Sequence, residues 1–130
     1  MSDRNDAQAG ARLSPEAPPL GQAHAADAKI PERYTKLLDA LSRADRALEA
    51  RDGDGRAVSL ADASGIVFDL LYALDFRRGG ETVQRLAALY GYIGNELLNV
   101  ARTGDRQQLA HLRDMVATLR KSWYDGEAAA

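Results

Sequence analysis

The sequence predicts an all-α fold: an antiparallel four-helix bundle behind a mostly disordered N-terminal tail. Three observations predict it. Apolar residues recur at alternating three- and four-residue steps in four separate stretches, which is the signature of helices with one buried face. Turn-forming residues stand where those stretches break: Asp52-Gly53-Asp54-Gly55, Gly79-Gly80 and Thr103-Gly104-Asp105. No stretch alternates apolar and polar residues as a half-buried strand would.

The tail comes first. Residues 1–30 are rich in Ala, Pro, Gly, Asp and Gln and hold three of the four prolines; before Ile30 their only large aliphatic residues are Leu13 and Leu20. Such a segment buries too little apolar surface to offset the entropy of ordering it. The bundle domain is expected over 31–125. The first helix opens at Pro31, whose missing N–H costs nothing in a first turn. Its seam is Tyr34, Leu38, Leu41, Ala44 and Leu48, and the Asp52–Gly55 run is read as its end. The second helix runs from Ala57 or Leu60 to Leu74 on the seam Leu60, Ala63, Val67, Leu70 and Leu74, widened by Ile66 and Leu71. The third, from Gly80 to Arg102, carries Val83, Leu86, Tyr90, Ile93, Leu97 and Val100. Gly104 reads as a left-handed helix end and Asp105 as the N-cap of the fourth helix. That helix, from Arg106 to Tyr124, repeats the pattern in Leu109, Leu112, Val116, Leu119 and Trp123. Seams close to a 3.5-residue period pack at shallow crossing angles, and short links between helices make neighbours antiparallel.

Composition narrows the function. The chain has 130 residues, 45% apolar and 28% charged, with a net charge of -2 and no cysteine. Near-neutral charge gives no general reason to expect nucleic acid or an anionic membrane as partner. Without cysteine there are no disulfides, thiolate nucleophiles or cysteine zinc sites, which suits a cytoplasmic protein. No apolar run approaches the roughly 18 residues that span a bilayer, and the N-terminus lacks the pattern of a secretory signal.

A search for chemistry finds little. Of two histidines, His24 lies in the tail and His111 beside the fourth seam; neither forms the Glu-x-x-His or His-x-x-x-His pair of a bundle metal site. Asp52 and Asp54 are spaced like the start of a calcium loop, but its later acidic positions are missing. Ser42, Ser59, Ser64 and Ser122 have no histidine nearby in sequence, and Asp69 and Glu96 are isolated carboxylates. No catalytic residue, metal or cofactor is expected. What remains is surplus apolar surface. Leu89 sits at the edge of the third seam, Tyr92 well off it, Leu98 on the far side, and Phe76 in the link before it. These residues either broaden the core or line a groove for a partner helix.

The run Leu74-Asp75-Phe76-Arg77-Arg78-Gly79-Gly80-Glu81, followed by Leu86 and by Leu89-Tyr90-Gly91-Tyr92-Ile93, resembles the signature of the FliS family of flagellin-binding export chaperones. The likeness continues through Leu97, Ala101, the Gly104-Asp105 break and Leu119-Arg120-x-x-Trp123, and back through Tyr34, Leu38, Leu41 and the run from Ala44 to Ala50. The resemblance implies a cytoplasmic helical bundle without enzymatic activity. Its partner would be the disordered C-terminal segment of flagellin, kept from polymerising and delivered to the flagellar type III export apparatus, with the export gate as a further contact. Neither nucleic acid nor membrane insertion is implied. Tyr34, Leu38, Leu41, Phe76, Leu89 and Tyr92 are expected to form the partner surface, with Gly79, Gly80 and Glu81 as the structural turn. One glycine would take a left-handed or tight backbone and the other would let the helix start close beside its neighbour. A free groove leaves open cover by the chain's own tail or by a second copy, as a homodimer. Family members usually carry Ser-Pro-x-x-Leu-Ile-x-x-Leu-Tyr into the first helix. Here Ala25–Arg33 precede Tyr34 with only Ile30 keeping apolar character, and Ser14-Pro15-Glu16 runs into Ala-Pro-Pro. That departure keeps a second reading open, an adaptor for another secretion or regulatory protein.

Overall fold

The structure is a computed structural model that describes residues 23–25, 28–78 and 80–129. Four helices follow in order: α1 (Ile30–Glu49), α2 (Gly53–Tyr72), α3 (Gly80–Thr103) and α4 (Arg106–Ala129). Among the described residues there is no strand, only one antiparallel bridge between His24 and Leu74. Consecutive helices pack on one another and α4 returns to α1, so the four enclose one core; of the neighbouring pairs, α3 and α4 pack least closely. This is the expected all-α bundle.

The core is the set of seams. Leu37, Leu41, Leu60, Val67, Leu70, Val83, Leu86, Tyr90, Ile93, Leu97, Val100, Leu109, Leu112 and Val116 are all buried. Burial of a single such aliphatic or aromatic side chain contributes about 1.5–3 kcal/mol, so the repeated seam is the main source of cohesion. Charged groups clasp α4 to α1 outside it. Arg106 grips Asp45 with two hydrogen bonds of 2.8 and 3.1 Å. Those bonds, ahead of all other influences, hold the Asp45 carboxyl below its ordinary range.

Pro31 lies in the first turn of α1, as expected. The link to α2 differs from the expectation. The left-handed residue at the end of α1 is Arg51 (φ 57°), not a glycine. It is held there because its N–H donates to the Leu48 carbonyl (3.2 Å) and that of Asp52 to the Ala47 carbonyl (2.8 Å), the paired bonds that close a helix end. Asp52 then caps α2 at once, accepting from the Gly55 N–H at 3.0 Å. The Asp52–Gly55 run therefore starts the second helix as much as it ends the first. A Cβ on Gly55 would overlap the Asp52 carboxylate, so the cap itself calls for glycine there. The start of α2 is thus earlier than Ala57, and α4 extends past Tyr124.

At the third break Gly104 is left-handed (φ 71°), and Asp105 caps α4 through bonds of 3.0 and 3.1 Å from the N–H groups of Gln107 and Gln108. Arg56 caps the other side of that break, donating to the Val100 and Ala101 carbonyls at the end of α3. Gly80 has φ 54°, which explains glycine by conformation; nothing lies within 4 Å of where its Cβ would be, so close approach does not. Glu81 stands in the first turn of α3 and accepts from Arg85 at 2.7 Å. Gly79 lies outside the described residues.

The tail boundary also moves. Residues 1–22, 26 and 27 are outside the described set, but Ala23, His24, Ala28 and Ile30 are buried. The Ala25 N–H donates to the Ala73 carbonyl (2.7 Å) and the Asp75 N–H to the Ala23 carbonyl (2.8 Å). Part of the expected tail is thus a short strap fixed to the link between α2 and α3.

Candidate partner-binding surface

The strap carries His24 into the bundle. Its Nε2 lies 2.9 Å from the Tyr90 hydroxyl on α3, which lies 2.7 Å from the Tyr34 hydroxyl on α1. His24, Tyr34 and Tyr90 are each no more than 1% exposed. The ring of Trp123, near the end of α4, meets the His24 ring edge-on at 6.2 Å. Burial pushes the Tyr34 hydroxyl up to about 12, with the Tyr90 hydrogen bond opposing in part. Burial also pushes Tyr90 well above its ordinary value, and Tyr34 adds to this. Both phenols therefore stay neutral across the physiological range and act as hydrogen-bonding struts.

That arrangement decides the place of two expected surface residues. Tyr34 and Leu41 have no exposed surface: both belong to the inward seam of α1, and they are core rather than partner surface in this conformation. The other four lie in three places. Leu38 is half-buried against the core, on the flank of α1 that also carries Thr35 and Asp45, whose side chains bond Arg120 and Arg106 of α4. Leu89 and Tyr92 share the flank of α3 that faces α4. Gln108 donates there to the Tyr92 hydroxyl at 3.2 Å and to Glu96 Oε1 at 3.0 Å. Met115, two helical turns beyond Gln108, packs half-buried against the same core. The backbones of α3 and α4 lie further apart than those of the other neighbouring pairs, and Tyr92 is 41% exposed beside this seam. Phe76 stands apart in the link after α2, 62% exposed.

A further apolar face lies off the seams. On the outer side of α2, Val58, Phe68 and Tyr72 are all more than half exposed. Phe68 and Tyr72 lie one turn apart with ring centroids at 5.1 Å, and exposed Ala57, Ala61 and Gly65 continue the row. Periodicity alone misses this face, yet the sequence carries a sign of it: α2 has apolar residues such as Val58, Phe68 and Tyr72 off its seam, where a helix with one buried face should be polar. An open cleft of about 470 Å³ borders this face between α1 and α2, lined by Ala61, Gly65 and Ile66 under Lys36, Asp39, Arg43, Asp62 and Asp69. Arg43 there is paired with Asp39 and Asp62.

Among the described residues no group of three His, Cys, Asp or Glu is placed to hold a metal ion, and no helix is long and apolar enough to cross a membrane. The flank between α3 and α4 offers half-buried apolar side chains beside Tyr92, Gln108 and Glu96, a mix that suits recognition of an amphipathic segment. Comparison with known proteins gives the family. The family model described as flagellar protein FliS matches residues 32–129, all four helices. The flagellar secretion chaperone FliSB of Pseudomonas aeruginosa is 28% identical over 107 residues, covering 78% of this chain and 84% of that protein.

Proposed function

We propose a function for this chain from one premise: it belongs to the FliS family of flagellar proteins. It acts as a cytoplasmic export chaperone for flagellin. It binds the disordered C-terminal segment of flagellin, keeps it from polymerising early and hands it to the flagellar type III export apparatus, where the export gate is a further partner. The observation that carries this reading is the family match across the entire bundle, supported by a relative whose name describes a secretion chaperone. The apolar flank between α3 and α4 supports it physically. Leu89, Tyr92 and Met115 offer apolar contacts with Gln108 and Glu96 as polar edges, the mix an amphipathic helix meets in a groove. Ordering the client on binding costs about 2–5 kcal/mol of the gross interaction, which keeps release within reach.

Calorimetric titration with the C-terminal segment of the cognate flagellin tests this. One-to-one binding with a large negative heat-capacity change is the expected result. Tyr92→Glu should leave the helical circular dichroism unchanged and weaken binding by about tenfold or more, or about 1.4 kcal/mol. A folded, helical chain that binds no flagellin segment would sink the reading. The second reading, an adaptor for another secretion or regulatory protein, would then stand. What favours it is the changed run before Tyr34, which leads into the strap fixed on the α2–α3 link.

A further inference from the structure

The flank between α3 and α4 carries one charge that nothing in the described bundle neutralises. Among the described side chains three carboxylates are half-buried: Asp45, Asp75 and Glu96. Asp45 is paired with Arg106 at 2.8 Å and Asp75 with Arg77 at 3.8 Å. Glu96 has no ion-pair partner among the described residues. Its two oxygens accept instead from neutral amides on two helices. Gln108 of α4 donates to Oε1 at 3.0 Å, and Asn99 of α3 donates to Oε2 at 3.2 Å. Arg102 donates to the Asn99 Oδ1 at 3.2 Å rather than to the carboxylate. The Gln108 nitrogen also donates to the Tyr92 hydroxyl at 3.2 Å. These two bonds from Gln108 are the only side-chain hydrogen bonds that join α3 to α4 among the described residues.

The amides fix the direction of the carboxylate without cancelling its charge. An ionised carboxylate offers about four lone-pair sites, so sites remain for donors from outside the bundle. Desolvating it further without a counter-charge is costly, so any apolar segment laid over this flank must bring a cation to that point. We propose that Glu96 is the specificity-determining residue of this surface and takes a lysine or arginine side chain of the bound segment. The proposal rests on the chaperone reading and deepens it. Gln108 is the positioning residue, since one amide holds both Glu96 and Tyr92 in place. Tyr92 stands one turn before Glu96, about 6 Å along the axis, and Leu89 about 10 Å before it. The segment that fits is an amphipathic helix with apolar residues against Leu89, Tyr92 and Met115 and a basic residue about one turn beyond them. Charge then discriminates among segments that apolar contact alone would accept.

The test is calorimetric titration of the full chain with the C-terminal segment of the cognate flagellin, and with the same segment after each lysine or arginine is changed singly to glutamine. Glu96→Gln keeps the size of the side chain and an acceptor for Gln108 but removes the charge. It should weaken binding of the unaltered segment about tenfold and flatten the salt dependence seen with the native chain. One of the glutamine-bearing segments should lose about as much against the native chain and nothing further against Glu96→Gln, the mark of a direct pair. Gln108→Leu should weaken binding by a smaller factor and reduce the coupling between Glu96 and that same basic residue. Loss of structure alone would not single out one residue of the segment, and urea unfolding reports separately whether each variant is folded. Binding by Glu96→Gln as tight as that of the native chain would overturn the proposal and leave the chaperone reading standing. So would a loss in Glu96→Gln that is coupled to no basic residue of the segment. A native chain that binds no segment would remove the chaperone reading, and this proposal with it.

Discussion

Tyr90→Phe is the sharpest probe of how the strap is held. Tyr90 is 1% exposed, and its hydroxyl sits between His24 Nε2 at 2.9 Å and the Tyr34 hydroxyl at 2.7 Å. Phenylalanine keeps the ring and removes the central oxygen. The Tyr34 hydroxyl, in a side chain with no exposed surface, then loses its partner inside the core. A buried polar group stripped of its partner costs about 1–3 kcal/mol, so the expected loss is about 2 kcal/mol. For a domain near this size that is a fall in Tm of about 8–16 °C. Tyr34→Phe removes only the end of the chain and leaves Tyr90 bonded to His24, so it should cost about 1 kcal/mol. In the double variant the orphaned Tyr34 hydroxyl no longer exists, and the loss should be smaller than the sum of the two single losses. Urea unfolding followed by helical circular dichroism measures all three at constant slope. If the two losses add, or if Tyr34→Phe costs as much as Tyr90→Phe, the hydroxyl chain is not what holds these rings.

The same pair sets a limit at alkaline pH. The folded-state pKa of Tyr34 is about 12 against an ordinary 10.0, so the folded state keeps a proton that the unfolded chain gives up. Stability is then intact below pH 10 and falls by about 2–3 kcal/mol between pH 10 and 12; tyrosinate absorbance should rise together with loss of helix, and early ionisation in a still-folded chain would contradict this. Arg51→Gly relieves a left-handed backbone that disfavours side chains, and should raise stability by about 0.5–1 kcal/mol in urea titration. Deleting residues 1–28, expected from composition alone to be neutral, removes buried Ala23, His24 and Ala28 and the bond from Arg33 to the Ala28 carbonyl. It should lower Tm by several degrees in a thermal scan; no change would mean that the strap adds nothing to cohesion.

How far the fold can be read in advance depends on whether the governing contact is local. The seams of α2 and α3 are local: each is a repeat along a single helix, and its members turn up buried together. On α1 the buried face includes Leu37 and Ala47, while the expected Leu38 and Leu48 are only half-buried, as is Trp123 on α4. Gly104 and Asp105 are legible for the same reason, since a left-handed end and an N-cap concern only neighbouring residues. At Arg51 the local rule looks for glycine, yet hydrogen bonds to Ala47 and Leu48 hold an arginine in the left-handed region. The Asp52–Gly55 run accordingly reads as the end of a helix although it begins one. His24 has no local sign at all. Its hydroxyl partner lies 66 residues away, and alanine-rich flanks give the segment the composition of a tail.

Tyr34 and Leu41 show the tension between two kinds of reading. The three- and four-residue steps place both on the first seam, and a seam is what a bundle buries. Likeness to a partner-binding family draws them outward, and their complete burial returns them to the seam. The large apolar residues that remain exposed, Val58, Phe68, Tyr72, Phe76, Tyr92, Leu98 and Tyr124, share the opposite property: none lies on a buried stripe. Each adds apolar surface that cohesion of the four helices does not require. In a bundle the periodic stripe is fixed by packing and says little about partners. The departures from it are under no such constraint, and it is there that recognition of a partner has room to be written.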